Sequence, residues 1–341
     1  MSSENRKSVF LIVFLLLITL LFVFAVAALC VGHYSLQPVK CLQILFNKLF
    51  GLNGDWNIVD ENVLLDIRLP RIFGAILIGA CLSISGASYQ SVFQNQLVSP
   101  DILGVSSGAC IGAALGIIWG LPRYFIMLCS FSSGVLTVGV TVLIPKFLKS
   151  TSNIMLVLSG IIVGGITSSI MGIIKYIADP IDELPRITYW TMGSLDSVDF
   201  NTLLVAIIPA LLCLILLVRM SWWIDIISMG EKDAKTLGAN VKLIRITVIL
   251  CSTMLTALSV SMCGTISWIG LIIPHFARLL IGPNNTKLIP VTALLGAIFL
   301  LVVDTVARTI ALVELPLSIV TGFIGAPCYA LFLYRQRTRL N

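Results

Sequence analysis

Charged residues and catalytic residue patterns are scarce in this sequence. Asp, Glu, Lys and Arg make up 11% of its 341 residues, and there are two histidines. A soluble domain needs a charged surface, so this composition and the mean hydropathy of +1.04 indicate that lipid is the solvent. Neither a GxxxxGK[ST] phosphate loop nor a CxxC pair occurs. We therefore expect no catalytic residues, no metal site and no bound cofactor, and any ATP must be used by a partner ATPase.

The nine cysteines also argue against a disulfide framework, because they are irregularly spaced and most lie inside apolar runs. That placement is typical of small buried hydrophobic side chains. Basic stretches interleaved with aromatic residues do not occur, so nucleic-acid binding is not expected.

Apolar runs long enough to cross a bilayer recur along the whole chain. The first resembles a signal peptide, but its 23 uncharged residues exceed the usual h-region of about 7–15 residues, so we expect a retained span. The pattern predicts an all-α polytopic membrane protein, with one transmembrane domain over residues 1–341 and about ten helices. The segments are Val9–Val31, Pro70–Val92, Ile102–Trp119, Tyr124–Pro145, Asn153–Ile177, Thr202–Val218, Ile244–Cys263, Thr265–Gly282, Leu288–Ala311 and Pro316–Tyr334.

The distribution of charge predicts the orientation of these spans. With the N-terminus inside, the inner segments carry 14 of the 22 Lys and Arg residues and a net charge of +9, against −3 outside. This distribution satisfies the positive-inside rule, and an even number of spans keeps the basic C-terminal tail inside. We expect both termini in the cytoplasm of a bacterial cell, and the chain in its plasma membrane.

A polar insert at about residues 228–242 separates the sixth and seventh spans on the predicted inner face. Ala234 and Leu237 fall on one helical face, and Gly238 can end the helix. A short helix with a small apolar patch suits docking into a groove on a partner. An ordinary solvated loop is the alternative.

Three polar features lie at the predicted outer face. Arg68 and Arg71 stand at the start of the second span, where they could snorkel to headgroups. Asp304 and Arg308 are spaced for an intrahelical ion pair, and an unpaired Arg308 could meet an acidic partner. The segment 190–194 fits an aromatic interfacial anchor.

Two serine-rich segments, LSISG at 82–86 and LSVS at 258–261, end spans that run in opposite directions. Inverted repeats require such a relation. Helix faces rich in Ser and Gly are also common wherever membrane helices pack.

At these positions the sequence resembles the FecCD-type permeases of ABC importers for ferric siderophores, haem and cobalamin. The resemblance covers about residues 66–333, and its motifs occur in order at matching spacing. They are RLPRIFGAILIGACLSISG (68–86), SPDILGVSSGA (99–109), WTMGSL (190–195), AKTLG (234–238), GTISWIGLIIPHFARLLIG (264–282) and ELPLSIVTGFIGAP (314–327). The sequence departs from the family at 94–98, where QNQLV replaces the common RNPLA, at 284–287 and at Leu317.

The resemblance implies a type II importer permease that dimerises, with an identical or a sister chain, around a central pathway. Its partners would be an ATPase dimer and an external substrate-binding protein. The implied ATPase-coupling residues are Ala234, Leu237 and Gly238. The implied docking residues for the binding protein are Arg68, Arg71 and Arg308. The implied cytoplasmic gate residues are Asn95, Leu97, Thr151 and Ser152.

A ferric siderophore is the expected cargo, with cobalamin and haem as alternatives within the family. A bulky chelate suits a mostly apolar pathway, whereas a bare ion would need a cluster of charges at membrane depth. An ion-coupled secondary transporter is the alternative from another class, and the scarcity of intramembrane titratable groups counts against it.

Overall fold

The computed structural model describes residues 3–32, 34, 36–51, 56–149, 152–311 and 313–340, with no description of the side chains of residues 3–7, 49, 333 and 335–340. Across these residues the chain is helical, and no strand occurs among them. The α-helices are α1 (Ser3–Cys30), α2 (Pro38–Leu49), α3 (Ile58–Asn62), α4 (Leu69–Val92), α5 (Val105–Ile118), α6 (Arg123–Phe147), α7 (Asn153–Ile177), α8 (Glu183–Met192), α9 (Phe200–Arg219), α10 (Ser221–Ser228), α11 (Glu231–Thr236), α12 (Val241–Cys263), α13 (Ile269–Ile281), α14 (Asn285–Ala307) and α15 (Leu317–Leu340).

The predicted spans correspond to helices. Within the described ranges, seven helical stretches are long and apolar enough to cross a membrane, and three shorter apolar helices accompany them. The shorter ones are α5, α13 and α15 up to Phe332. The prediction of an all-α membrane protein with about ten spans is confirmed. The predicted eighth span is the least regular, since α13 begins only after Trp268, whose φ of 73° is left-handed.

The second span begins earlier than predicted, because α3 continues into α4 through a π-helical segment, Val63–Arg68. Pro70 cannot donate a backbone hydrogen bond, which would interrupt a regular α-helix here. The wider turn accommodates this, since the Leu69 N–H bonds to the Leu64 carbonyl five residues back. The resulting stretch of 35 residues sets Arg68 and Arg71 within one continuous rod.

Helix α4 lies at the centre of the bundle, where small residues allow its backbone to touch its neighbours. A Cβ at Gly79 would overlap the backbone of Gly296 in α14, and one at Gly86 would overlap that of Gly270 in α13. Serine and threonine hydroxyls link α4 to α12, with Ser85 Oγ lying 2.8 Å from Thr256 Oγ1. Such close contacts are how small residues hold membrane helices together.

The helix contacts are reciprocal, as inverted repeats require. Helix α4 contacts α13 and α14, while α12 contacts α5 and α6, which hold the corresponding positions in the other half. The two central helices are antiparallel, because Ser85 pairs with Thr256 and Tyr89 pairs with Thr253. This arrangement explains the repeated serine-rich segments of α4 and α12.

The residues at the end of α8 are hydrogen-bonded to two other parts of the chain. Gly193 has a φ of 77°, and a Cβ there would overlap the Thr265 carbonyl. The neighbouring backbone pairs with two other elements, since Ser194 N–H donates to the Cys263 carbonyl at 2.8 Å and Leu317 N–H donates to the Gly193 carbonyl at 2.9 Å. The segment 190–194 therefore joins α8, α12 and α15.

Candidate functional site

Two groups of predicted site residues lie at opposite ends of α4. The arginine end is the end at which Arg68, Arg71 and Arg308 lie. The other end, called the α11 end, contains α11 and the turn that follows α4. This turn contacts α10, the helix that precedes α11, since Gln94 Nε2 donates to the carbonyl of Ile227 at 2.8 Å.

At the arginine end, Arg71 holds two carboxylates from distant parts of the chain. Its Nε lies 2.9 and 3.0 Å from the two oxygens of Asp304, and its Nη2 lies 2.8 Å from Asp304 Oδ1. Its Nη1 and Nη2 also donate to Glu314 at 2.8 and 2.9 Å. Arg71 and Asp304 are only 6% and 1% exposed, whereas the Glu314 side chain is 41% exposed. The planar guanidinium suits this double fork, which an ammonium could not reproduce.

The other two arginines at this end bind carbonyls in the last turn of α1 and just beyond it. Arg68 donates to the Leu29 and Tyr34 carbonyls, and Arg308 donates to the Ala28 carbonyl. Carbonyls in the last turn of a helix have no partner within it, and cations there are favoured by the helix dipole. The two side chains thus fix the end of α1 to α4 and α14.

The sequence predicted these arginines as outer-face cations, with snorkelling as the alternative. In the structure they are buried, with exposures of 4%, 6% and 8%, and they contact groups of this same chain. The expected Asp304–Arg308 pair is present at 3.9 Å, but the hydrogen bonds of the carboxylate go to Arg71. Docking of a binding protein through these residues stays a prediction, and it would require the intrachain bonds to open.

Sequence reasoning missed Glu314 as a partner of Arg71. The two residues are 243 positions apart, and no spacing rule connects them. The available signal was that Glu314 begins the last motif of the family resemblance.

At the other end, α11 ends as the sequence predicted. Gly238 has a φ of 76°, its N–H bonds to the Lys235 carbonyl, and the Ala239 N–H bonds to the Ala234 carbonyl. This pair of bonds is a Schellman motif, in which glycine favours the left-handed residue.

The apolar patch predicted on α11 is divided by the structure. Ala234 is fully buried among residues of α10 and α12, whereas Leu237 is 60% exposed. The two side chains therefore do not form one exposed patch in this structure. Coupling to an ATPase stays a prediction, with Leu237 as the residue that presents an apolar surface.

The described gate residues lie at the α11 end, in the turn after α4 and at the start of α7. Asn95 and Leu97 are exposed in the turn after α4, where the Asn95 side chain accepts the Leu97 N–H at 2.9 Å. Ser152 caps the start of α7 by accepting the Ile154 N–H at 3.2 Å, and Thr151 lies outside the described residues. In this turn, where the sequence departs from the family, Gln94 takes the left-handed conformation with a φ of 53°.

A cavity of about 550 Å³ joins the gate region to α11. Its lining includes Gln94 after α4, Ser152 and Asn153 of α7, and Glu231 of α11. Asn153 also donates to the carbonyl of Val92 at 3.4 Å. The structure therefore places one predicted gate residue and the predicted coupling helix around one space.

Glu231 is the acid of this region. Its hydrogen bond from Lys235, supported by a second from Arg245, holds the pKa of the carboxyl below its usual range. The two contacts are 3.0 and 3.2 Å long. A charged Glu231 thus ties α11 to α12 at neutral pH.

Helix α7 exposes a long face with almost no charge. Space is open beside Gly164, Gly165 and Gly172, and the exposed side chains between them are mainly isoleucine and serine. Lys175 is its one charged residue. Such a face suits either helix packing or an apolar pathway.

The sequence profile of the FecCD transport family matches residues 17–335. The chain belongs to this family. It is a multi-pass membrane protein and a permease subunit of an ABC importer, so the alternative of an ion-coupled secondary transporter is not retained.

Two relatives and one solved structure illustrate the similarity. The molybdate import permease MolB of Haemophilus influenzae is 39% identical over 318 residues, covering 93% of this chain and 94% of the relative. A probable iron chelatin permease of Helicobacter pylori strain 26695 is 37% identical over 316 residues, covering 92% and 96%. A solved ABC transporter described as of the metal-chelate type, in an inward-facing conformation, is 37% identical with a TM-score of 0.85, covering 94% of this chain and 98% of that one.

Proposed function

We propose that this chain forms half of the membrane pathway of an ATP-driven importer that carries an intact iron–siderophore complex. The observation that carries the proposal is the broad uncharged face of α7. A bulky chelate that keeps its metal wrapped needs no charged ligands from the pathway, whereas a bare ion would. The similarity to an iron chelatin permease and to a metal-chelate type transporter supports this cargo.

Molybdate is the second candidate, because a relative 39% identical is named as a molybdate permease. Haem and cobalamin are further alternatives within the family. The deciding experiment is uptake in a strain lacking this gene, complemented with the gene on a plasmid. We expect complementation to restore uptake of a ⁵⁵Fe-labelled siderophore, and not of ⁹⁹Mo-labelled molybdate or labelled cobalamin. Restored molybdate uptake alone would overturn the iron proposal and leave the importer assignment standing.

Three partners belong to this proposal. A second permease subunit, identical or a sister chain, packs beside α7, where small residues spaced four apart allow close approach. An ATPase dimer docks at the α11 end, through the exposed Leu237. A substrate-binding protein docks at the arginine end.

The proposal implies an orientation with the α11 end and both termini in the cytoplasm, and the positive-inside distribution supports it. The chain is thus one transmembrane domain with an inner-face insert. Transport follows from a population shift, in which ATP binding and hydrolysis in the partner favour different states of the permease pair. Asn95, Leu97, Thr151 and Ser152 close the cytoplasmic end, and α11 transmits the change to them across the shared cavity.

A further inference from the structure

A second and larger cleft opens at the α11 end, next to the cavity described above. Its volume is about 1000 Å³, and the end of α6, the start of α7, α11 and the first turns of α12 form its walls. Two kinds of residue line it, in separate layers. The proposed transport cycle places no ligand in it.

The first layer is cationic. The lining contains five cations and one acid, which are Lys146, Lys149, Lys235, Lys242, Arg245 and Glu231. The acid is already committed, since Glu231 bonds to Lys235 and Arg245. Lys146, Lys149 and Lys242 are exposed, and none of them forms an ion pair with an acid among the residues that the structure describes. The cleft therefore carries a positive charge that its own residues do not neutralise.

The second layer is apolar and lies further along the helices, toward the membrane centre. Val142 and Leu143 of α6 are 36% and 45% exposed, and Ile246 of α12 is 42% exposed. Leu143 precedes Lys146 by three positions on α6, which corresponds to about 4.5 Å along the helix axis, and Lys149 follows the end of α6. The spatial order is the same on α12, which begins at the α11 end. Lys242 lies in its first turn, and Ile246 lies one turn further toward the membrane centre.

We propose that an anionic phospholipid of the cytoplasmic leaflet, such as phosphatidylglycerol, occupies this cleft. The charged layer would bind the phosphate, and the apolar layer would hold the upper part of an acyl chain. Basic pockets between membrane helices on the cytoplasmic side recognise such headgroups. An acidic protein segment would match the charge but not the apolar wall at membrane depth. The inference uses the proposed orientation, and it does not depend on the identity of the cargo.

The site has a consequence for transport, because its walls belong to the gate and to the coupling helix. Ser152 and Asn153 of α7 line it together with Lys235 of α11. A bound lipid would therefore contact both elements at once and hold the start of α7 near α11.

The test is lipid binding by the purified full-length chain in detergent, measured by native mass spectrometry during titration with phosphatidylglycerol or with phosphatidylcholine of the same acyl chains. The variant is Lys149→Gln with Lys242→Gln. The matched control is Arg219→Gln with Lys232→Gln, which removes the same charge at the same end from exposed positions outside the cleft. A second variant, Leu143→Ser, shortens the apolar wall. Elution as a single peak in size-exclusion chromatography verifies that each variant folds.

We expect the wild type to retain phosphatidylglycerol in preference to phosphatidylcholine. Each lysine removed should weaken this binding about fivefold, so the double variant should bind about 25 times more weakly. The control pair should bind like the wild type, and Leu143→Ser should weaken lipid binding without altering any response to inorganic phosphate.

Four results would overturn the proposal. They are equal binding of the two lipids, undiminished binding by the lysine variant, equal loss in the control pair, and displacement of the lipid by inorganic phosphate at a comparable concentration. A lysine variant that keeps lipid binding but loses ATPase association would assign the cleft to the ATPase. None of these results bears on uptake of the cargo, which is measured separately.

Discussion

Replacement of Arg71 by alanine should destabilise the protein before it affects any docking. In the wild type this arginine supplies the hydrogen bonds to Asp304, which is 1% exposed. Without it, the closest cation to the carboxylate is Arg308, with an Nε at 3.9 Å that is too distant for a good hydrogen bond. The variant would thus leave a buried charge without its main partner.

Removing one member of a buried ion pair costs about 3–5 kcal/mol. Each kcal/mol lowers the melting temperature of a chain of this size by about 2–4 °C, so Arg71→Ala should melt about 10 °C below the wild type. The measurement is the midpoint of thermal unfolding in detergent, followed by fluorescence-detected size-exclusion chromatography. Arg71→Lys should also destabilise, because the ammonium keeps the charge but cannot form the double fork.

A matched control lies at the same end of the molecule. Lys48 pairs with Glu61 at 2.6 Å, but its side chain is 62% exposed. A surface pair contributes about 0–1 kcal/mol, so Lys48→Ala should shift the midpoint by a few degrees at most. The double variant Arg71→Met with Asp304→Leu should recover part of the loss, because it removes the Arg71 and Asp304 charges together while Arg308 keeps its bond to the Ala28 carbonyl.

The reasoning is refuted if Arg71→Ala melts no lower than Lys48→Ala, or if the double variant is less stable than Arg71→Ala. An unchanged midpoint together with weakened affinity for the substrate-binding protein would instead support docking as the principal role of Arg71. Affinity at low and high salt, for the charge-reversal variants of all three arginines, completes this comparison.

Three further predictions concern the rest of the chain. Single cysteines at Ser3 and Thr338, in a background without other cysteines, should react with an impermeant thiol reagent only after cells are permeabilised, and labelling of intact cells would contradict the topology. Leu237→Glu should abolish co-purification with the ATPase and leave folding normal, because it places a charge in an exposed contact. Ala234→Glu should prevent folding, because that position is fully buried. A Leu237→Glu variant that still binds the ATPase and transports would exclude the docking role. Gly193→Ala should lower the free energy of unfolding by about 1–3 kcal/mol or more, because Gly193 has a φ of 77° and the new Cβ would overlap a backbone carbonyl. An unchanged midpoint in the same thermal assay would show that the backbone at 190–194 can shift to accept the Cβ.

The spans were predictable because their cause is local. A bilayer requires about 20 consecutive apolar residues, so length and apolarity alone identify α7 at its observed bounds, Asn153–Ile177. Likewise, Gly238 was recognisable as the end of α11, because the left-handed residue of a Schellman motif favours glycine.

The chemistry of the arginine end was not predictable, because its partners are distant in sequence. Spacing on one helix suggested Arg308 for Asp304, but the bundle brings Arg71 to the carboxylate from 233 residues away. Likewise, an exposed arginine and a buried one look alike in sequence, and only the course of α1 showed which carbonyls Arg68 and Arg308 would bind. The burial of Ala234 and the exposure of Leu237 were also not predictable, because spacing on a helix does not show which neighbouring helix covers each residue.

The distribution of these contacts indicates which helices can move during transport. Helix α4 is fixed at the arginine end by the buried ion cluster and along its length by glycines in backbone contact with α13 and α14. Most residues of its membrane span are buried within this chain, whereas most of those of α7 are not. The exposed side of α7 is also the side that the proposed second subunit covers, so α7 is held less by its own chain than α4 is. Ser152, which caps the start of α7, lies beside the cavity shared with α11. If α11 couples to the ATPase as proposed, we therefore expect its displacement to reach the proposed pathway through α7 while α4 keeps its place.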